Sequence, residues 1–188
     1  MSILVREQKK RIHPHKFTLW IALASITMMF AGFTSAYIIK RNQVNWVTFN
    51  LPVIFWISTA VIILSSITLY FAENAFRVRD MVKFRGLVVA TLILGILFII
   101  FQFIGFQQLW ENGMTLTANV SFSFLYVIIG LHALHILGGI IALLVLFAKA
   151  FSTKIRNYDI IPVEVISTYW HFVDFLWIYL LIFLILIR

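Results

Sequence analysis

The charged residues of this chain are clustered, and five long apolar stretches with almost no charge lie between the clusters. Each stretch has about 20 residues or more, the length that an α-helix needs to cross the hydrocarbon core of a bilayer. Backbone polar groups inside a bilayer must bond to one another, so a single crossing segment must be helical. We therefore predict five spans, at about residues 17–39, 51–72, 86–109, 119–148 and 163–187.

The predicted fold is an all-α, polytopic membrane protein in which five transmembrane helices form an antiparallel bundle. The connections are short, so helices that follow one another should pack as antiparallel neighbours. We expect residues 1–16 to form a basic tail and residues 17–188 to form the five-helix transmembrane domain. The first span is too long for the apolar core of a cleavable signal peptide, so it should remain as a membrane anchor.

The composition excludes several classes of protein. Apolar residues make up 62% of the chain, against about 45–50% in soluble domains. The net charge of +8 does not indicate a nucleic-acid partner, because no basic stripe with interleaved aromatic residues forms a candidate groove. The absence of cysteine excludes disulfides, thiolate metal sites and cysteine nucleophiles. No glycine-rich phosphate loop and no Ser-His-Asp order is present.

Basic residues are distributed unequally between the two predicted sides of the membrane. Twelve of the 15 lysines and arginines lie in the tail, in the loop after the second span or in the loop after the fourth span. The other three are Lys40, Arg41 and Arg188. Because loops rich in lysine and arginine stay on the cytoplasmic side, we expect a cytoplasmic N-terminus and a periplasmic C-terminus.

The last span contains ionisable side chains, which are expensive in a membrane and usually functional. Glu164 and His171 are two helical turns apart and share a face, and Asp174 lies near that face. A polar face on an apolar helix needs protein, water or a lipid headgroup against it. The two carboxylates would form a proton relay, or they would anchor lipid headgroups or partner helices, with Glu164 near the cytoplasmic interface. We expect Asp174 to pair with His171, another helix or a bound water.

Two histidines lie three residues apart in the fourth span, within a glycine-flanked stretch. His132 and His135 are candidate ligands of a metal or a haem, and His171 would then supply a third metal ligand. Alternatively, the two imidazoles hydrogen-bond across helices, and a polar seam joins the fourth and fifth spans. The pair Gly138-Gly139 favours a close approach of two helix backbones.

Two C-terminal motifs carry a resemblance to a known family. The run Tyr169–Asp174 followed by Trp177 resembles the last helix of cytochrome c oxidase subunit III, and Glu164 fits the same helix. The stretch Leu131–His135 with Gly138-Gly139 resembles the paired-histidine helix before it. Weaker matches lie upstream at Ala31-Gly32-Phe33, Ala36-Tyr37, Arg85-Gly86 and Gln102. Five spans fit the short bacterial form of the family, which lacks the first two helices of the seven-helix form.

The resemblance implies a non-catalytic subunit III of a proton-pumping haem–copper terminal oxidase, active in aerobic respiratory electron transport in the bacterial inner membrane. Such a subunit packs beside the large catalytic subunit and other oxidase subunits, stabilises the catalytic subunit and supports proton uptake. The resemblance implies no catalytic, cofactor-binding or metal-binding residue here, haem and copper in partner subunits, bound phospholipid, and membership of a respiratory supercomplex. The residues implied to have structural, lipid-binding or proton-related roles are His132, His135, Glu164, Trp170, His171 and Asp174.

Two positions depart from the longer members of the family, and several alternatives stay open. Ile26 stands where those members carry an intramembrane glutamate, and Gly105 stands about where a second glutamate is common, so the roles of those acids do not carry over. A quinol oxidase subunit III or an accessory subunit of nitric oxide reductase would share the motifs. A small haem- or metal-binding membrane protein would use the three histidines. A proton-coupled carrier is disfavoured because no proline breaks a span.

Overall fold

The computed structural model describes residues 14–42, 46–47, 51–151 and 159–187. These residues contain no strand and five helices, α1 Pro14–Arg41, α2 Ile54–Arg77, α3 Met81–Glu111, α4 Val120–Phe151 and α5 Ile160–Leu186. All five are long and apolar enough to cross a membrane. The predicted all-α fold with five spans is therefore confirmed, and the chain is a multi-pass membrane protein. Seven of the basic residues used above to predict the orientation in the membrane lie outside the described residues, namely Arg6, Lys9, Lys10, Arg11, Lys154, Arg156 and Arg188.

The helices continue beyond the apolar spans into charged sequence. α3 begins before Lys83, because Asp80 caps the helix by accepting the backbone N–H of Lys83 at 3.2 Å. This backbone N–H, followed by the Lys83 side chain, holds the pKa of the Asp80 carboxyl below its usual value. Asp159 caps α5 in the same way by accepting the backbone N–H of Ile161 at 3.2 Å. A cap bonds to N–H groups that a helix end otherwise leaves without partners, so a helix can begin in the charged loop.

α2, α3, α4 and α5 form a ring in which each helix packs on the next, and α5 packs back on α2. Hydrogen bonds along the α2–α5 contact join Thr59 to Trp177 and Arg77 to Glu164. Thr59 is near the start of α2 and Trp177 is in the second half of α5, whereas Arg77 is at the end of α2 and Glu164 is near the start of α5. The two helices are therefore antiparallel. The ring thus forms a four-helix core of the antiparallel kind that short connections favour.

α1 lies outside this ring, against α4 and α5, and it runs parallel to α5. No Cα atoms of α1 and α2 come within 8 Å of each other, although these two helices follow one another in the chain. The prediction that successive helices pack as neighbours is therefore wrong for this pair. The connection, residues 42–53, is long enough to let α1 pack on a different side of α5 from α2.

The centre of the ring is built around Trp170. Its indole lies between Gly95 of α3 and Gly139 of α4, where an added Cβ would come within 2.8 Å and 2.9 Å of ring atoms. The indole N–H donates to the Ser65 hydroxyl of α2 at 3.2 Å, so one side chain of α5 contacts the three other helices of the ring. The predicted glycine pair therefore has a different role, because Gly139 makes room for an indole ring while Gly138 is exposed.

Gly105 of α3 is packed tightly against α2. A Cβ at this position would lie 2.9 Å from Ile54 Cγ2 and 2.9 Å from the Phe55 ring, so a glutamate has no room here in this chain. About one turn earlier, Gln102 Nε2 donates to the Ser58 hydroxyl of α2 at 3.0 Å. Gln102 therefore joins α3 to α2 through its side chain.

Candidate functional site

The polar side chains of α5 face mainly α2. His171 Nδ1 is hydrogen-bonded to the Ser66 hydroxyl, and the Trp177 indole N–H donates to the Thr59 hydroxyl at 2.9 Å. Together with the indole bond of Trp170, these contacts form a polar seam that runs along the α2–α5 interface. The prediction of a polar seam between the fourth and fifth spans is therefore wrong about the main partner helix.

Sequence reasoning missed the α2 side of this seam. Ser58 and Ser65 are seven residues apart, as are Thr59 and Ser66, and residues two helical turns apart share a face. Hydroxyl side chains in membrane helices commonly bond to neighbouring helices. Thr59, Ser65 and Ser66 bond to side chains of α5, whereas Ser58 bonds to Gln102 of α3. The clustered hydroxyls of α2 are therefore the sequence signal for its contacts with both neighbouring helices.

Glu164 joins three helices at the end of the bundle where α1 and α5 begin. Its Oε2 accepts from Lys16 Nζ of α1 at 2.6 Å, and its Oε1 accepts from Arg77 of α2 at 2.7 Å. Arg77 also donates to Glu73, one turn earlier on α2, at 2.7 Å. The two cations are 42% and 49% exposed, so solvent screens these ion pairs. Their main structural effect is to link α1 to α2, whose backbones do not meet.

Asp174 lies deeper in the bundle than Glu164, and only 3% of its surface is exposed. Neither carboxyl oxygen has a hydrogen-bond partner among the described residues, so the expected pairing of Asp174 with His171 does not occur. His171 bonds to the Ser66 hydroxyl of α2 instead.

The two histidines of α4 have separate environments, and their imidazoles do not form the predicted bonds between helices. The fully buried His132 ring stacks on Trp177 at a centroid distance of 5.2 Å, and neither ring nitrogen has a partner in the described part of the chain. His135 Nδ1 lies 2.7 Å from the backbone carbonyl of Leu131 in its own helix. The hydrogen bond between α5 and α4 has a backbone acceptor, because the Tyr169 hydroxyl donates to the backbone carbonyl of His135 at 3.0 Å.

The structure does not bring the three histidines together. His132 lies against Trp177, His135 lies beside Phe30 of α1 with a centroid distance of 5.8 Å, and His171 contacts α2. Within the described ranges, no group of three His, Asp or Glu side chains is placed to hold a metal ion. Of the six candidate residues, Glu164, Trp170 and His171 bond to other helices through their side chains, and Trp170 is also the centre of packing. The arrangement therefore cross-links helices.

Comparison with known proteins gives consistent matches over almost the whole chain. The sequence profile described as cytochrome c oxidase subunit III matches residues 16–187. A probable cytochrome c oxidase subunit 3 of Nocardia farcinica is 32% identical over 164 residues, which cover 84% of this chain and 80% of the relative. The cytochrome c oxidase subunit 3 of Corynebacterium diphtheriae is 31% identical over 170 residues, covering 86% and 82%. The cytochrome bo(3) ubiquinol oxidase subunit 3 of Buchnera aphidicola is 29% identical over 170 residues, covering 86% and 88%.

Proposed function

Because this chain belongs to the cytochrome c oxidase subunit III family, we propose that it is the non-catalytic subunit III of a proton-pumping haem–copper terminal oxidase. The observation that carries the proposal is the family match over residues 16–187, which extends through all five helices. As a member of this family, the chain associates with other oxidase subunits. Its role is to stabilise the large catalytic subunit and to support proton uptake during aerobic respiration.

In this proposal haem and copper are bound by the partner subunits. The positions of the histidines support this, because His132, His135 and His171 contact three different parts of the bundle. The candidate residues then have structural roles in this chain. Trp170 and His171 hold α5 on α2, and Glu164 links the ends of three helices.

We place the N-terminus in the cytoplasm and the C-terminus in the periplasm of a bacterium, with the chain in the inner membrane. The described basic residues at the end where α1 begins are Lys16, Arg77, Arg79, Lys83, Arg85 and Lys149, against Lys40 and Arg41 at the other end. This imbalance supports the orientation through the positive-inside rule. A reporter fused after residue 188 should be active in the periplasm, and one inserted between α2 and α3 should be active in the cytoplasm. The opposite labelling would refute the orientation.

A cavity of about 520 Å³ between the first turns of α1 and α5 supports the proposal of a bound phospholipid. Most of its lining is apolar, with Leu19 and Ala22 from α1 and Pro162 and Val165 from α5, and Lys149 of α4 also lines it. An acyl chain suits such an apolar surface, and a phosphate suits a nearby lysine. Mass spectrometry of lipids retained by the purified complex tests this proposal.

We assign the support of proton uptake to the end of the bundle where α1 and α5 begin. Glu73 and Glu164 line a second cavity, of about 390 Å³, and in the proposed orientation this cavity is on the cytoplasmic side. Carboxylates at that surface can bind and release protons, which supports a role in proton uptake. We also propose that the chain is part of a respiratory supercomplex, as its family resemblance implies. Native gel electrophoresis of solubilised membranes tests this proposal.

The test of the main proposal is affinity purification of this chain in mild detergent, with identification of the co-purifying polypeptides and an absorption spectrum. We expect a large haem- and copper-containing subunit to co-purify, and we expect no haem band in this chain once it is separated. Purification without any haem-containing subunit would refute the assembly role, and stoichiometric haem or metal on the separated chain would refute the non-catalytic role.

The electron donor is the point on which the relatives differ. The relative from Buchnera aphidicola is named as a ubiquinol oxidase subunit, which supports a quinol oxidase as the second candidate. Oxygen consumption by the purified complex with reduced cytochrome c or with a quinol as donor distinguishes the two candidates.

A further inference from the structure

One face of α5 is not covered by any described helix of this chain. Residues along this face recur every four or seven positions, which is the spacing of one helix face, and they are Phe175, Ile182 and Leu186. Phe175 is 70% exposed. On one side of the face, Tyr179 is bonded to Thr34 of α1 at 3.2 Å. On the other side, His171 is bonded to Ser66 of α2. The uncovered face therefore lies between α1 and α2.

This face forms the floor of an open groove. Its two walls are α1 and α2, and no Cα atoms of these two helices come within 8 Å of each other. At the end where α1 and α5 begin, the ion pairs of Glu164 with Lys16 and Arg77 cross the groove and close it. We call this feature, with Phe175 on its floor and Lys16, Glu164 and Arg77 at its closed end, the α5 groove.

His171 gives the α5 groove a polar group in the middle of the membrane. The residue lies eleven positions after Ile160, which is about 16 Å along the helix and therefore within the hydrocarbon core of about 30 Å. Its Nδ1 is bonded to Ser66, but its Nε2 has no hydrogen-bond partner in the described part of the chain and is not enclosed. A polar nitrogen in this position is costly unless a partner bonds to it.

Lipid is a poor occupant for this groove. An acyl chain has no donor or acceptor for the imidazole Nε2. The closed end has two cations and two carboxylates, Lys16 and Arg77 with Glu73 and Glu164, so their charges balance and the site offers no net positive charge to a lipid phosphate. A transmembrane helix of another subunit satisfies both conditions, because its side chains can bury Phe175 and can also supply a hydrogen bond at the depth of His171.

We propose that the α5 groove receives a transmembrane helix of another subunit of the oxidase, and that this helix hydrogen-bonds to His171 Nε2. The inference rests on the proposed function, since an oxidase complex supplies the partner helix. It adds the surface that is used and the kind of side chain that is recognised. The partner segment is an apolar helix with a polar side chain, such as Ser, Thr, Asn or Gln, near its middle.

Site-specific photo-crosslinking in the intact complex tests this inference. The variant Phe175→p-benzoylphenylalanine replaces one phenyl side chain with a photoreactive relative in the groove. The matched control is Phe103→p-benzoylphenylalanine on α3, because Phe103 is 69% exposed, almost the same as Phe175 at 70%, but is outside the groove. Each complex is purified, its haem spectrum is recorded, and the sample is then irradiated and its adducts are mapped by mass spectrometry.

We expect position 175 to form an adduct with a transmembrane helix of another oxidase subunit and position 103 to form adducts with lipid. Lipid adducts alone at position 175, or equal yields of the same protein adduct at both positions, would overturn the inference. The haem spectrum recorded before irradiation tests the proposed function separately, because a complex can retain haem while its α5 groove contains only lipid.

A second test isolates the imidazole. His171→Leu removes both ring nitrogens, whereas Ser66→Ala removes only the bond to Nδ1 and leaves Nε2 available. We expect His171→Leu to speed the loss of this chain from the detergent-solubilised complex by about threefold, the effect of one typical hydrogen bond between membrane helices, while Ser66→Ala has less effect. Equal dissociation rates for His171→Leu and the unaltered chain would contradict a partner bond at His171.

Discussion

The tight packing of the Trp170 indole between Gly95 and Gly139 can be tested by adding a methyl group at position 139. Gly139→Ala adds a Cβ 2.9 Å from Trp170 Cε3 and 3.3 Å from Tyr169 Cε1. The indole cannot retreat easily, because it is fully buried and bonded to Ser65. Overpacking of this kind costs about 1–3 kcal/mol, and the better helix propensity of alanine offsets about 1 kcal/mol of that loss.

Gly130→Ala is the matched control on the same helix, because no atom lies within 4 Å of the Cβ that it adds. Both variants gain the same helix propensity, so the difference between their free energies of unfolding isolates the overpacking, about 1–3 kcal/mol. The full chain is unfolded in detergent by titration with SDS, and the unfolding is monitored by far-UV circular dichroism. In a Trp170→Phe background the penalty should shrink, because phenylalanine lacks the ring atoms that the new Cβ meets. Equal stability of the Gly139→Ala and Gly130→Ala variants would refute the tight packing of Trp170 against Gly139.

Three further predictions concern the polar contacts. Trp177→Phe removes the indole N–H that donates to Thr59 and leaves a smaller ring against His132, so we expect it to lower the free energy of unfolding by about 1–2 kcal/mol in the same titration. The control Trp56→Phe alters an exposed indole on α2, and equal losses for both would contradict the role of the bond. Glu164→Gln weakens the ion pairs with Lys16 and Arg77, so it should lower the thermal stability more at low salt than at 1 M salt, where charges are screened. A loss that does not depend on salt would show that packing, not charge, is responsible. Asp80 has a folded-state pKa below its ordinary value of 3.8, so its ionised form stabilises the fold above that pH, and the stabilisation is lost as the pH falls toward the folded-state value. Asp80→Asn keeps a helix cap but not the charge, so its unfolding midpoint should depend less on pH in this acidic range, and identical pH profiles would contradict the prediction.

Much of the family assignment could be made from short motifs, because their residues are close together along single helices. Tyr169–Asp174 with Trp177, and the paired histidines of α4, are each read within two or three turns of one helix. The contacts of these residues could not be read in the same way. His171 was expected to bond to Asp174 or to face α4, whereas it bonds to Ser66 of α2, a residue 105 positions away in the chain.

The amino-acid sequence by itself determined the number of helices, their approximate extents and the unequal charge at their ends. These features depend on the length of apolar segments and on where charges occur, and both are local properties of the chain. Only the tertiary structure decided which helices are neighbours, why α1 and α2 stay apart, and which face of α5 remains open. The physical reason is that these helices are apolar on nearly all sides, so hydrophobic periodicity does not distinguish a face that meets protein from a face that meets lipid. That choice depends on the fit of a few glycines, hydroxyls and indoles between helices, such as Trp170 between Gly95 and Gly139.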